Sequence, residues 1–190
     1  PLIAIWNLER FAETLISLID DNQANAIKKA SEVIKYFSER YQDIWLEMMR
    51  EKLGIIGKDE NDKELIINLL KWMHEYKVDY TNTFCHLMGK LLFKNKIYEN
   101  GKFTIWKKKW KKRLELNNNT LENSLNMMSK ANPLVIPRNH FVEEALNSAT
   151  KNNDLSKIHS LIKIMKNPYN YSNNIKNFQN PGISGKKFTT

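Results

Sequence analysis

Residues 132–169, NPLVIPRNHFVEEALNSATKNNDLSKIHSLIKIMKNPY, contain two short helical patterns that stand between turn signals. Apolar residues recur every three or four positions in each pattern, first at Phe141, Val142, Ala145 and Ala149, and then at Leu155, Ile158, Leu161, Ile162 and Met165. Between the patterns, Asn152, Asn153 and Asp154 supply turn chemistry and a helix N-cap. The stretch therefore predicts a helical hairpin, and nothing in it is chemically reactive.

The rest of the chain shows the same helical periodicity. It predicts a buried helix at Leu2–Ile19 and further helices at 24–53, about 62–77, 79–93, 103–116 and 120–131. The predicted apolar faces of the first two helices are Ile5, Leu8, Ala12, Leu15 and Ile19, and then Ala26, Ala30, Val33, Phe37, Tyr41, Ile44 and Met48. No strand alternation and no repeat of fixed period is present, so the predicted fold class is all-α.

Glycines and polar residues mark the expected ends of these helices. Gly54 is a predicted C-cap, Asn61 and Glu64 resemble a capping box, and Asn100-Gly101 predicts an exposed turn within 95–102. Thr120 or Asn119 is expected to cap the helix that follows. Residues 170–190 are rich in Asn, Gly and Ser without periodicity, which predicts an irregular tail after the helical region 1–169.

Composition narrows the class of protein. Hydrophobic residues make up 42% and charged residues 27% of the chain, as in globular domains. No apolar run approaches the roughly 20 residues needed to span a bilayer, and no signal-peptide pattern begins the chain. The single cysteine, Cys85, excludes an internal disulfide framework and fits a reducing compartment. These features predict a cytoplasmic protein with no membrane partner.

The sequence offers no catalytic, cofactor-binding or metal-binding residues. The four histidines have neither a His-x-x-x-His pair nor a cysteine at zinc spacing; they are His74, His86, His140 and His159. Cys85 lies in a helical pattern and is expected to be a buried, inert thiol. The adjacent carboxylates Asp20-Asp21 and Glu143-Glu144 diverge on a helix, and no glycine-rich phosphate loop occurs among the six glycines.

One strongly basic segment allows two interpretations. It is WKKKWKKR, which runs from Trp106 to Arg113 within a predicted amphipathic helix. Phe103, Trp106, Trp110 and Leu114 form its apolar stripe, and the lysines and Arg113 occupy the other faces. The alternatives are a nucleic-acid-binding or membrane-surface helix, and a packing helix with core tryptophans and solvated lysines. The narrow, regular stripe favours packing, so nucleic acid is not the expected partner.

Three groups of motifs together resemble the selenoprotein-O family of pseudokinase-like protein adenylyltransferases. The first 13 residues, PLIAIWNLERFAE, are similar to the family's Q-P-x-x-x-x-W-N-L-x-R-[LF]-A segment without its leading Gln. Residues 49–54, MREKLG, and 78–84, VDYTNTF, resemble M-R-x-K-L-G and V-D-Y-T-N-x-F. The last group matches N-P…R-N…E-A…D…P-Y at Asn132-Pro133, Arg138-Asn139, Glu144-Ala145, Asp154 and Pro168-Tyr169.

The resemblance implies a parent enzyme that binds ATP and Mg²⁺ or Mn²⁺ and moves AMP onto Ser, Thr or Tyr hydroxyls of proteins. It implies that the family's phosphate-binding, catalytic and metal-binding residues precede the W-N-L segment, so none is carried over to this chain. The family's C-terminal redox Cys or selenocysteine would lie beyond Thr190, and Cys85 does not correspond to it. The expectation is therefore the helical C-terminal segment of a kinase-like fold, a structural partner of an upstream catalytic domain.

Overall fold

The computed structural model describes residues 2–116, 120–170 and 175–182. Over these residues the chain forms nine α-helices and one 3-10 helix, with no strand, which confirms the predicted all-α class. The chain divides into two compact units, Pro1–Met49 and Arg50–Thr190.

The first unit consists of α1, Leu2–Ile19, and most of α2, Gln23–Leu53. Asn22 caps α2, because its side-chain oxygen accepts hydrogen bonds from the backbone N–H groups of Ala24 at 3.0 Å and Asn25 at 3.1 Å. Asp20 pairs with Lys29 at 2.7 Å across this turn. These contacts fix the point at which the chain turns into α2.

The prediction that α1 is buried is wrong. None of its residues is buried, and Trp6, Phe11 and Leu18 are 54%, 61% and 80% exposed. Ile5, Ala12, Leu15 and Ile19 of the predicted stripe are half-buried, and Leu8 is exposed. Periodicity identifies the apolar face of a helix but carries no information about what covers that face.

The predicted apolar face of α2 is correct at Ala26 and displaced at Val33, Ile44 and Met48. Ala26 is buried as expected, but Val33 is 72% and Ile44 55% exposed. Further along, Trp45 is half-buried and Met49 is buried, one position later than predicted. A shift of one residue turns the face of an α-helix by about 100°, so the predicted Ile44 and Met48 point to the wrong side.

The second unit is built around α5, Gly101–Glu115, which packs against α3, the 3-10 helix and α6. The remaining elements are α3 Asp62–Glu75, α4 Tyr80–Leu87, the 3-10 helix Lys96–Glu99, α6 Leu121–Ala131, α7 Asn139–Asn152, α8 Ser156–Met165 and α9 Ile175–Phe178. Helices α7 and α8 pack together as the predicted hairpin.

An aromatic core runs along α5. The ring centroids of Trp72 and Phe103 are 4.5 Å apart, those of Phe103 and Trp106 5.7 Å, and those of Trp106 and Trp110 6.1 Å. The indole N–H of Trp106 donates to the Leu65 carbonyl and that of Trp110 to the Leu53 carbonyl, each at 2.8 Å. The basic helix therefore uses its tryptophans for packing, as the favoured interpretation predicted.

Helix boundaries account for most other differences from prediction. Gly54 has φ +67° and ends α2 as expected. The predicted helix 79–93 stops at Leu87, because Gly89 has φ +69°, a left-handed conformation that cannot continue a right-handed helix. The predicted capping box is absent, since the Asn61 side chain makes no capping hydrogen bond.

The segment 95–102 is not an exposed turn. It contains the 3-10 helix Lys96–Glu99, in which Tyr98 is buried, and the Asn100 side chain caps α5 by accepting from the Lys102 N–H at 2.9 Å. Thr120 caps α6 by accepting from the Asn123 N–H at 3.2 Å, as predicted. The other candidate cap, Asn119, lies outside the described residues.

The hairpin is stabilised by its connection. Asn153 is left-handed, with φ 51°, and Asp154 accepts a hydrogen bond from the Ser156 N–H at 2.9 Å. Ala145 is buried, whereas Leu155 and Ile162, predicted on the apolar face of α8, are 50% and 49% exposed. The short helix thus uses only part of its predicted face.

The described part of the predicted irregular tail contains regular structure. Helix α9 places Ile175 in the core, and Gln179 is fully buried. Residues 171–174 and 183–190 of the tail lie outside the described part of the chain.

Candidate functional site

Residues of the family motifs take part in two buried polar clusters of the second unit, Arg50 in the first and Asp79, Asn82 and Arg138 in the second. The Asp62 cluster consists of Arg50, Asp62 and Arg113, and the Arg138 cluster consists of Asp79, Asn82 and Arg138. Charged side chains are seldom buried unless they are paired, so these clusters are the first places to look for chemistry.

The Asp62 cluster joins the end of α2 to α3 and α5. Asp62 is fully buried, and its two carboxylate oxygens accept from Arg50 Nε at 2.6 Å and Arg113 Nε at 2.7 Å. Burial disfavours the charged carboxylate, but the hydrogen bonds from Arg113 and Arg50 outweigh it and hold the pKa of Asp62 below its ordinary value. A carboxylate with both oxygens engaged has no proton to exchange, so this cluster is structural.

The Arg138 cluster ties the start of α4 to the start of α7. Arg138 Nη1 and Nη2 donate to the two carboxylate oxygens of Asp79 at 2.5 and 3.0 Å, and Nη2 also donates to the Asn82 side chain at 3.2 Å. Asp79 in addition caps α4 through the Asn82 N–H at 2.8 Å. The bidentate geometry fixes both helices at once.

A third motif contact connects α2 with the end of α6. Lys52 Nζ donates to the Ala131 carbonyl at 3.1 Å, and the Asn132 side chain donates back to the Lys52 carbonyl at 2.9 Å. Burial lowers the pKa of Lys52. Nearby, Gly54 lies so close to α6 that a Cβ atom there would be 2.7 Å from the Ser124 carbonyl oxygen.

Cys85 is buried, as predicted. Its Sγ lies 3.7 Å from the Leu134 carbonyl oxygen. Burial, together with the nearby charge of Asp79, raises the pKa of the thiol to about 12. The thiolate needed for nucleophilic attack is therefore scarce at neutral pH, and the thiol is inert.

The histidines do not converge. His86 stacks on Tyr98 with ring centroids 4.0 Å apart, and burial, with the charge of Lys107, lowers its pKa to about 4. His74 and His159 are exposed on other helices. Among the described residues, no three His, Cys, Asp or Glu side chains group closely enough to hold a metal ion.

The predicted acidic pairs and the basic helix are only partly as expected. Glu144 pairs with Lys157 at 2.5 Å on the hairpin, and Asp20 pairs with Lys29. On α5 the exposed cations are Lys102, Lys108, Lys109, Lys111 and Lys112. Arg113, predicted on an outer face, is instead buried against Asp62, because the stripe of α5 is widened by this ion pair.

Sequence reasoning missed Asp62 and Gln179 as organising residues. The sequence predicts Asp62 only as a polar residue at the beginning of a helix, and Gln179 as part of the tail, yet both are fully buried. For Asp62 the available signal was the M-R-x-K-L-G motif, whose arginine needs a buried anion.

Across the described residues, no helix combines the length and apolar character required to cross a bilayer.

Comparisons with known proteins agree with the family resemblance of the motifs. The family described as "Protein adenylyltransferase SelO" matches residues 1–166. The chain is 49% identical over 191 residues to "Protein nucleotidyltransferase YdiU" of Pelagibacter ubique, covering 100% of this chain and 39% of the relative.

Similar matches occur in other bacteria. Proteins of the same description from Nitrosococcus oceani and Alcanivorax borkumensis are 42% and 45% identical, over 95% and 89% of this chain and 37% and 35% of theirs. The chain thus spans less than two fifths of the length of these relatives. With a family match over most of its length and the motif residues engaged in its core, the chain belongs to the SelO family of protein adenylyltransferases.

Proposed function

We propose that this chain is the helical C-terminal portion of a protein adenylyltransferase, which transfers AMP from ATP to Ser, Thr or Tyr hydroxyls of other proteins. The chain supports a kinase-like catalytic domain that lies upstream in the longer protein. Its substrates are proteins, and its compartment is the cytoplasm, which fits the single reduced and buried Cys85.

The exposed apolar surface of the first unit carries this proposal. Trp6 is 54%, Phe11 61% and Val33 72% exposed, although all three lie within helices. Helices that expose several large apolar side chains are typical of interfaces. The upstream catalytic domain is the proposed cover, because the W-N-L segment that includes Trp6 adjoins the catalytic region in the resemblance.

The motif contacts support a structural role. Arg50, Asp79 and Arg138 each form an ion pair with a residue of this chain, so none is free to act on a nucleotide. Their function is to hold α2, α4 and α7 in place.

ATP and its divalent metal do not fit the described residues. The described part of the chain has no grouping of three potential metal-ligating side chains, and its most buried carboxylate, Asp62, is neutralised by two arginines. We therefore assign no step of AMP transfer to any described residue. ATP and Mg²⁺ or Mn²⁺ are expected to bind to the longer protein.

Isothermal titration tests whether ATP binds to this chain or only to the longer protein. The 190-residue chain is expected to give no measurable heat with ATP and Mg²⁺, while the longer native protein binds ATP and labels a protein acceptor with AMP. Micromolar ATP binding by the 190-residue chain would contradict the proposal. Intact mass of the native protein provides the control, because a mass of 22.4 kDa would mean that no catalytic portion is attached.

The rival function, nucleic-acid binding through α5, has the exposed lysines of that helix in its favour. Trp106 and Trp110 are buried, however, and so are not available to stack on bases. Affinity for RNA or DNA that falls steeply with salt and is lost in a Lys108→Gln, Lys112→Gln variant would support the rival.

A further inference from the structure

A pocket of about 490 Å³ lies between the end of α4, the outer side of α5 and the start of α6. This volume is within the range of about 300–1,000 Å³ that is usual for small-molecule sites. The pocket belongs entirely to the second unit, and neither buried polar cluster contributes to it.

The floor of the pocket is apolar. It is formed by Leu87, Trp110, Leu114 and Leu125. The indole N–H of Trp110 is already bonded to the Leu53 carbonyl, so that side chain has no spare polar donor. The floor can therefore make apolar contacts with a ligand and has no polar group that needs a hydrogen bond from it.

The charged groups of the pocket lie on one helix. Lys107 and Lys111, one helical turn apart on α5, line it together with Glu115. On α4 the facing titratable group is His86, and the α6 lining residues, Leu121 and Leu125, carry no charge. Two cations against one carboxylate leave an excess of positive charge beside an apolar surface.

We propose that this pocket binds a free amphipathic anion, a medium-chain carboxylate, with its apolar chain on the leucine and tryptophan floor and its carboxylate at Lys107 and Lys111. A neutral chain would leave the excess positive charge uncompensated, and a bare inorganic anion would leave the floor empty. A ligand with both parts satisfies both surfaces.

The electrostatic state of the pocket agrees with this assignment. Burial, and then the charge of Lys111, lowers the pKa of Lys107. His86 is kept neutral by burial and by the charge of Lys107. A carboxylate between the lysines would relieve both, so its binding should raise the pKa of His86 above about 4.

Titration of the 190-residue chain with octanoate tests the proposal, with NMR shifts of Leu87, Leu125 and His86 as the readout. We expect saturable binding that weakens by at least about tenfold in the Lys107→Gln, Lys111→Gln variant, because the loss of even one of the two charge-assisted hydrogen bonds would weaken binding by about that factor. The matched control, Lys108→Gln, Lys112→Gln, removes the same charge from positions of α5 that do not line the pocket and should change the affinity less than about twofold.

Probe chemistry separates the outcomes further. Octanol, which has the chain without the charge, should bind about tenfold more weakly than octanoate. Equal binding of octanol, equal loss in the two lysine variants, or shifts confined to Trp6 and Phe11 of the first unit would each overturn the proposal. Binding to phosphatidylglycerol vesicles without binding of free octanoate would also overturn it, because the ligand would then be a membrane surface.

Discussion

Single buried charges decide how the second unit is held together, and Asp62 is the clearest case. Its carboxylate lies between two arginines that come from 12 residues before it and 51 residues after it. Removing the charge leaves both guanidinium groups buried without their shared anion, which is far more costly than the loss of a surface ion pair.

We expect Asp62→Asn to lower the free energy of unfolding by about 3–5 kcal/mol, measured by urea denaturation. Glu64→Gln is the matched control, because Glu64 is an exposed carboxylate on the same helix, and its effect should stay within about 0.5 kcal/mol. The lowered pKa of Asp62 means that its stabilisation is present above pH 3.8 and is lost as the pH falls below that value. Equal stability of the two variants at pH 7 would contradict the structural role.

His86 gives a second pH dependence, which arises because burial favours the neutral form of its ring. Its folded pKa, about 4, lies below the ordinary 6.5, so the unfolded chain binds a proton that the folded chain does not. The free energy of unfolding should therefore fall as the pH is lowered from 6.5 to 4, by about 1–2 kcal/mol once solvent screening of a half-buried ring is allowed for. His86→Phe keeps an aromatic ring against Tyr98 and should remove this part of the pH dependence. An NMR-measured His86 pKa near 6.5 would show the prediction to be wrong.

These residues also mark the limit of prediction from sequence. The inert Cys85 and the packing tryptophans were predictable, because helical spacing alone reports which side of a helix is apolar. The burial of Asp62 was not, since a polar residue is buried only when partners that are distant in the chain arrive to neutralise it. Arg50 and Arg113 could be paired with it only once the helices were in place.

At the scale of elements, the end of α2 is fixed by a close approach to α6. Gly54 adopts φ +67°, and a Cβ atom on it would be 2.7 Å from the Ser124 carbonyl oxygen and 3.0 Å from Met128 Cγ. Gly57 adopts a similar φ of +74° but has no atom within 4 Å of the same position. Substitutions at Gly54 and Gly57 therefore distinguish the cost of a left-handed backbone from the cost of a steric clash.

Alanine at each glycine is the corresponding test. Gly57→Ala should cost about 1–2 kcal/mol, the penalty for a left-handed conformation. Gly54→Ala adds a clash with backbone that cannot rotate away, and should cost about 1–3 kcal/mol more. Thermal and urea unfolding of the two variants would measure the difference, and equal losses would mean that α2 and α6 separate at no cost.

Helix identity was easier to predict than helix ends. The end of α4 had an available signal in Gly89, a residue type that commonly ends helices, but the apolar positions beyond it favoured a longer helix. Asn100 had the chemistry of an N-cap and was instead interpreted as a turn residue. The predicted apolar face of α2 is out by one residue at Ile44 and Met48, and one residue turns the face of a helix by about 100°.

At the scale of the whole molecule, the two units differ in how much of their apolar surface is covered. The second contains the aromatic core, whereas α1 has no buried residue. The all-α class was predictable from periodicity, but this division was not, because both units have the same helical pattern and differ only in what covers it.

Hydrogen exchange should report this difference. In the 190-residue chain, amides of α1 are expected to exchange orders of magnitude faster than those of α3 and α5, because helices with few buried contacts open locally. In the longer protein, α1 should become protected while α3 and α5 change little. Uniform protection across both units of the isolated chain would argue against an uncovered first unit.

Gln179 has a consequence for the timing of synthesis. Its side chain accepts from the Leu92 N–H at 3.0 Å and donates to the Lys90 carbonyl at 3.1 Å and the Leu134 carbonyl at 3.2 Å, while its own carbonyl accepts from Asn82 at 2.9 Å. Because a ribosome adds roughly 5–20 residues per second, Leu92 is made on the order of ten seconds before Gln179 exists. During that interval the second unit lacks the hydrogen bonds of Gln179, so its core cannot be completed until the end of the chain has been made.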